Sequence, residues 1–151
     1  MVRGAGVMSG YLNNAAATEE AFIGDWFRTG DRGAIRDGYL YLEGRLKEII
    51  IRGGENISPA EIEQALLSHP AVGDAVCFGV QDDRYGEVPA AAVTLTQDAE
   101  VGALIDHCRG RLAAFKVPAS IYILPEIPRT ATGKIQRRRV AEFLIGSRAA
   151  G

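Results

Sequence analysis

The chain has 151 residues, 47% of them hydrophobic and 24% charged, with a formal net charge of −2. That is the length of one ordinary domain, able to bury roughly 68–70% of its unfolded surface, and the charge balance argues against a binder of nucleic acid or other polyanions. No apolar run approaches the ~20 residues of a membrane span, the first residues lack a signal peptide's apolar stretch, and Cys77 and Cys108 are too few for a disulfide framework, so a soluble cytoplasmic protein with both thiols in its core is expected.

Residues 1–24 are rich in Gly, Ala and Asn, with little periodicity beyond a short helix from Thr18 through Glu19, Glu20, Ala21 and Phe22. An aromatic-rich strand, Gly24-Asp25-Trp26-Phe27-Arg28-Thr29-Gly30, ends in a turn at Asp31. Asp37-Gly38 is a strong turn signal and predicts a hairpin pairing Gly33–Arg36 with Tyr39–Leu42. Arg45 and Lys47 bracket a further turn, and the β-branched run Ile49–Ile51 reads as a strand. Gly53-Gly54 then permits backbone shapes that a Cβ resists and leads straight into a helix start, where Ser58-Pro59-Ala60-Glu61 has the form of a capping box with Pro at the first helical position. That helix carries Ile62, Ala65 and Leu66 on one face and stops near His69-Pro70. Asn56-Ile57-Ser58 matches a glycosylation acceptor, read here as chance without a secretion signal.

Ala75–Val80 and Val88–Leu95 read as strands joined by a polar loop, Gln81–Glu87. A second helix is marked by Val101, Leu104, Ile105, Cys108, Leu112 and Phe115, a short strand by Ile121–Leu124, and a final helix by Val140, Phe143 and Leu144. Arg137-Arg138-Arg139 reads as the solvated face of that last helix. The order defines an α+β fold: a small mixed sheet with flanking helices, preceded by a β-hairpin tail. His69 and His107 lack partners at metal-ligand spacing, so no metal site is expected.

Three segments in order carry a resemblance: Gly24-Asp25-Trp26-Phe27-Arg28-Thr29-Gly30-Asp31, the run Gly44–Glu63, and Pro128-Arg129-Thr130-Ala131-Thr132-Gly133-Lys134-Ile135. Together with Met8-Ser9-Gly10-Tyr11-Leu12-Asn13 and Ala17-Thr18, they closely resemble the C-terminal signature motifs of the adenylate-forming enzymes, specifically the acyl-CoA synthetases. The resemblance runs from about Val7 to Val140. It implies that residues 1–46 are the terminal segment of a larger N-terminal domain and that residues 47–151 are a mobile C-terminal domain. It also implies part of an ATP-dependent carboxylic acid–CoA ligase of fatty acid metabolism, using ATP with magnesium and CoA, and inactive alone. The Asn-Ile-Ser-Pro that follows Gly-Gly-Glu looks more like acyl-CoA synthetases than like amino-acid-activating domains of peptide synthetases, and Ile51 stands where light-producing relatives carry Lys.

By that resemblance, Lys134 is the catalytic cation of acyl-adenylate formation, its ammonium neutralising charge as the α-phosphate is attacked. The plain alternative is an exposed surface lysine. A phosphate-binding P-loop is excluded, because Pro128 stands five before Gly133 and Ile135 replaces the magnesium-holding Ser/Thr. Asp31 would accept the ribose hydroxyls of ATP, against the alternative of a turn-forming Asp. Arg45 would contact the nucleotide, against a surface ion pair with Glu43 or Glu48. Lys47 stands at the hinge about which the domain swivels between adenylation and thioester-forming poses. Gly53 and Gly54 would line the pantetheine channel with Tyr85 beside it, and Phe115 and Lys116 would meet the CoA nucleotide. In that last segment Val117 and Ala119 replace the basic side chains that grip CoA phosphates in some relatives.

The family's ATP-phosphate loop and acyl-binding region have no counterpart in this sequence. The expected partners are therefore the large N-terminal domain, the small-molecule substrates, and a second copy of the chain recruited through unpaired strand edges in residues 1–43. A non-catalytic interaction module that docks onto a separate adenylation domain is the alternative reading.

Overall fold

The computed structural model describes residues 1–146. It divides into two compact units, Met1–Lys47 and a second beginning at Glu48.

The first unit opens with α1 (Ala15–Ala21), which begins before Thr18 because Asn14 caps it, its side chain accepting from the Ala17 N–H at 3.0 Å. Strands β1 (Phe22–Ile23) and β2 (Trp26–Phe27) form one small antiparallel ladder. The longer β3 (Asp31–Arg36) and β4 (Tyr39–Arg45) form another. Their connection is the expected two-residue turn, with Asp37 at φ 51° and Gly38 at φ 81°. Both residues take the left-handed conformation that matches the twist of a tight hairpin. Ile35, Tyr39, Leu40 and Leu42 on this hairpin are all exposed.

A single 3-10 turn, Leu46–Glu48, leads to the second unit. There Ile50–Arg52 forms β5, one residue later than the β-branched run predicts. Gly53-Gly54 does not lead directly to a helix. At φ 56° and 89° the two glycines turn the chain back into β6 (Glu55–Ile57), which pairs with β5 through Ile50↔Ile57 and Arg52↔Glu55. Helix α2 (Pro59–Leu67) follows, with Ser58 at the N-cap and Pro59 in the first turn. The Ser58 hydroxyl makes no capping bond to the helix, and the Glu61 carboxylate of the expected box is instead held by Lys116. Ile62, Ala65 and Leu66 are buried as their spacing predicts.

Strands β7 (Val72–Asp82) and β8 (Gly86–Leu95) form the longest antiparallel pair of the sheet, extending the predicted strands into the loop between them and β7 back to Val72. Helix α3 (Val101–Arg109) stops short of the apolar stripe that predicts it. The chain turns after Gly110, and Leu112 and Phe115 reach the core from the turn and from a 3-10 segment, Ala114–Lys116. Strand β9 (Ser120–Ile123) joins β8 in parallel, and α4 (Arg137–Gly146) ends the described chain. The strand order β6-β5-β8-β7, with β9 also on β8, leaves β7 at one edge.

Alternation along these two long strands divides the core. Ala75, Cys77, Ala91 and Val93 point to one face, where Ile62 and Leu66 of α2 and Leu104 and Cys108 of α3 cover them. Val76, Phe78, Ala90 and Ala92 point to the other, covered by Val140 and Leu144 of α4. Coverage on both faces is why these strands read as continuous apolar runs instead of alternating ones. Phe143 of α4 faces outward.

Candidate functional site

Between β9 and α4 the chain forms a tight hairpin carrying Lys134. Arg129 and Ile135 oppose each other in an isolated bridge. Inside it the Thr130 N–H donates to the Lys134 carbonyl at 2.8 Å, and the Gly133 N–H to the Thr130 carbonyl at 2.9 Å. The Lys134 N–H donates to Thr130 Oγ1 at 3.1 Å. Gly133 closes the turn at φ 80°, a conformation that side chains with a Cβ resist. Lys134 is exposed, and its ammonium makes no ion pair among the described residues. A mobile cation on an ordered backbone turn can meet an anionic substrate without first breaking another bond.

Arginines on either side fix this hairpin. The Arg129 guanidinium donates to the Gly133 carbonyl at 2.9 Å and pairs with Asp74 on β7. Arg137, at the start of α4, pairs with Glu63 of α2, donates to the Cys77 carbonyl of β7 and reaches Glu48 at 3.3 Å. The expected solvated face therefore holds for exposed Arg138 and Arg139 but fails at Arg137, whose side chain is drawn inward by two carboxylates and a carbonyl. Burial works against its charge, but the hydrogen bond and charge of Glu63, with Glu48, more than compensate, so its pKa lies above the ordinary arginine value.

The residues expected along the CoA path gather around β5. The Gly53 N–H donates to the Tyr85 carbonyl at 2.8 Å, and a Cβ on Gly53 would lie 3.5 Å from the Tyr85 ring. Tyr85 is placed by Asp82, whose carboxylate accepts from the Arg84 and Tyr85 N–H groups at 3.0 and 2.9 Å. Arg52, missed by the sequence reading, joins the set: its guanidinium stacks 4.6 Å from the Tyr85 ring centre and donates to the Phe115 carbonyl at 2.7 Å. Lys116 is committed elsewhere, donating at 2.7 Å to both carboxylate oxygens of Glu61. Gly54 lies in the same turn as Gly53, with open space where a Cβ would stand.

In the first unit Asp31 and Arg45 are direct cross-strand partners, with the Arg45 Nε 3.6 Å from the Asp31 carboxylate. Arg45 thus makes a surface ion pair, the alternative to its nucleotide contact, with Asp31, while Glu43 pairs with Arg32 and Arg36. Thr29 Oγ1 accepts from the Asp31 N–H at 3.1 Å and sets the start of the strand. Lys47 lies in the 3-10 turn that joins the units.

Cys77 and Cys108 are buried free thiols, and burial pushes both up in pKa, Cys77 furthest with the Glu63 charge adding to the effect. Neither has the thiolate character of a nucleophile. Among the described residues no cluster of three or more His, Cys, Asp or Glu is arranged to hold a metal, and no helix is long and apolar enough to cross a membrane.

This arrangement has close counterparts. Residues 61–134 match the family described as AMP-binding enzyme C-terminal domain. A probable CoA ligase from Humulus lupulus is 51% identical over 147 residues, covering 95% of this chain and 28% of that protein. An oxalate–CoA ligase from Saccharomyces cerevisiae is 47% identical, covering 97% of this chain and 28% of its own length. The o-succinylbenzoate CoA synthetase of Bacillus subtilis, solved with its acyl-adenylate intermediate, superposes with a TM-score of 0.88 at 42% identity, over 91% of this chain and 29% of that one. The chain carries an AMP-binding enzyme C-terminal domain, and the relatives it matches are named as CoA ligases. It spans less than a third of the length of these relatives.

Proposed function

We propose that this chain is the mobile portion of an ATP-dependent carboxylic acid–CoA ligase that works through an acyl-adenylate. A carboxylate oxygen attacks the α-phosphorus of magnesium-bound ATP and expels pyrophosphate. The CoA thiolate then attacks the acyl carbonyl and expels AMP. Lys134 offsets negative charge in the first step, and Asp31 and Arg45 contact the nucleotide. Lys47 is the pivot between steps, and Gly53, Gly54, Tyr85 and Phe115 border the path of the thiol in the second. The reading is carried by one observation: an exposed Lys134 with no ion pair among the described residues, on a hairpin fixed at both ends, within an AMP-binding C-terminal domain.

The acid is proposed to be a fatty acid on the strength of the sequence motifs, with oxalate and o-succinylbenzoate as the competing classes named by relatives. The protein is proposed to act in the cytoplasm, where ATP and CoA are both at hand. The exposed apolar hairpin β3–β4 favours a second reading, a docking module without catalysis.

Pyrophosphate release with ATP, CoA and each acid tests the proposal, measured on the chain alone and mixed with a matching large domain. Silence alone and release on mixing, lost in Lys134→Ala, is the expected result. Release by the chain alone would overturn the assignment of the missing steps to the large domain. Silence in both, with a folded chain that still binds the large domain, would leave the docking module standing.

A further inference from the structure

Two arginines flank Lys134, five residues before it and three after, and both anchor on the same strand edge. Among the described residues β7 pairs with β8 alone, so its outer side carries backbone groups with no described strand to satisfy them. At Cys77 the N–H donates to Glu63 Oε1 at 2.7 Å, while the carbonyl accepts from Arg137. Two residues earlier the Ala75 N–H donates to Asp74 Oδ1 at 3.0 Å, and the other oxygen of Asp74 holds Arg129. The edge is thus closed by two ion pairs, Asp74–Arg129 and Glu63–Arg137, whose cations both belong to the segment carrying Lys134.

We propose that Arg129 and Arg137 are positioning residues that staple the Lys134 hairpin to the outer edge of β7. Arg129 acts on the near side: one arm is held by Asp74, and the other fixes the Gly133 carbonyl, the peptide immediately before Lys134. Arg137 acts on the far side, fixing the first turn of α4 and also holding Glu48, the residue after Lys47 in sequence. The lysine tip keeps its rotamers while its backbone is held. The Asp74–Arg129 pair is partly exposed, so its weight lies in geometry more than in stability. The inference rests on the reading of Lys134 given above.

The test uses the chain combined with the large domain of its ligase, with the two half-reactions measured separately. Arg129→Met is expected to lower kcat of adenylation about ten- to a hundredfold, the scale of a small misplacement, with the ATP KM moving less than about threefold. The thioester step, started from supplied acyl-adenylate, should stay within about twofold. Arg129→Lys, which keeps the charge but loses the second arm, should recover part of the loss.

In a Lys134→Ala background Arg129→Met should cost nothing further, because it acts through the lysine. Amide exchange at Gly133 and Lys134 should quicken in the Arg129→Met chain while β7 and β8 stay protected, which separates a loosened hairpin from a misfolded domain. An additive loss in the Lys134→Ala background, or equal losses in both half-reactions, would overturn the staple while leaving the role of Lys134 intact. Undiminished adenylation in Lys134→Ala itself would overturn that role and the staple with it.

Discussion

Arg137 and Glu63 meet over the backbone of Cys77, the carboxylate accepting its N–H and the guanidinium donating to its carbonyl. The pair does for the edge of β7 what a neighbouring strand would do, with both charges mostly withdrawn from water. Removing Arg137 leaves the Glu63 charge without this cation and the Cys77 carbonyl without this donor, whereas after loss of the Glu63 charge Arg137 still has Glu48 at 3.3 Å. Arg137→Met should therefore destabilise the chain by about 2–4 kcal/mol, and Glu63→Gln by less, since an amide oxygen still accepts from the Cys77 N–H. Denaturant melts of both single variants and the double check this. The double variant should lose less than the sum of the singles, and strict additivity would show that the two residues act separately.

Lys116 illustrates a different kind of commitment. Its two bonds to Glu61 engage the ammonium that the sequence offered to CoA. An exposed pair of this kind is worth about 0.2–1 kcal/mol, so releasing the lysine carries little cost in stability. Glu61→Gln should lower the KM for CoA by up to about fivefold, while Lys116→Ala should change it by less than about twofold. A raised KM in Glu61→Gln would show that the pair helps build the CoA site instead of competing with it.

What could be read from the sequence follows the range of the interactions. The Asp37-Gly38 turn, the apolar face of α2 and the two-sided strands β7 and β8 are set by local chemistry, and all were legible. Strand β6 was not, because a Gly-Gly pair before a helix signal looks the same whether the chain runs on or doubles back. Nor was the early end of α3, since Leu112 and Phe115 keep their helical spacing while reaching the core from a turn. The arginines are the sharpest case. Arg137 takes partners 89, 74 and 60 residues away, and Arg52 bonds a carbonyl 63 residues away, distances over which charge patterning carries no register. The turn that carries Lys134 was legible from Thr130, Thr132 and Gly133, while the arginine contacts that tie it to β7 were not.

His107 gives the chain a pH dependence whose sign is fixed by its surroundings. Burial lowers its pKa below the ordinary 6.5, as do Arg111 and the His69 ring packed against it, while the Ala65 carbonyl opposes the shift in part. The unfolded chain then takes up the proton more readily than the folded one, so this contribution to stability is complete above about pH 6.5 and is lost as pH falls toward the folded value. Thermal melts between pH 8 and pH 5 should show a falling Tm with a smaller slope in His107→Gln. An unchanged slope would place the acid sensitivity elsewhere.

On the proposed function, substitution of Gly53 should separate the two half-reactions. Its φ of 56° is a left-handed conformation, and an added Cβ would stand in ordinary contact with the Tyr85 ring. Gly53→Ala should cost about 1–2 kcal/mol of stability from backbone strain. Gly53→Val adds bulk against Tyr85, where the pantetheine arm is proposed to pass. In the chain combined with its large domain, Gly53→Val should slow thioester formation at least about tenfold and leave pyrophosphate release within about threefold. Equal loss in both steps would move Gly53 from the thiol path to general folding.

The hairpin β3–β4 carries the last prediction. Among the described residues its strands have no third partner within their sheet, and Ile35, Tyr39, Leu40 and Leu42 are exposed on it at 77, 71, 63 and 67%. Unpaired edges beside apolar side chains recruit another chain, either the large domain or a second copy. At concentrations near 100 µM, on the order of those used for structural work, the isolated chain should self-associate in sedimentation or light scattering. A fragment beginning at Glu48, the start of the second compact unit, should be monomeric and melt cooperatively, because its core clusters lie entirely within it. Leu40→Lys with Leu42→Lys in the full chain should abolish association by placing charge on the same hairpin. A monodisperse monomer of the unaltered chain would sink the idea that residues 1–43 recruit a second copy.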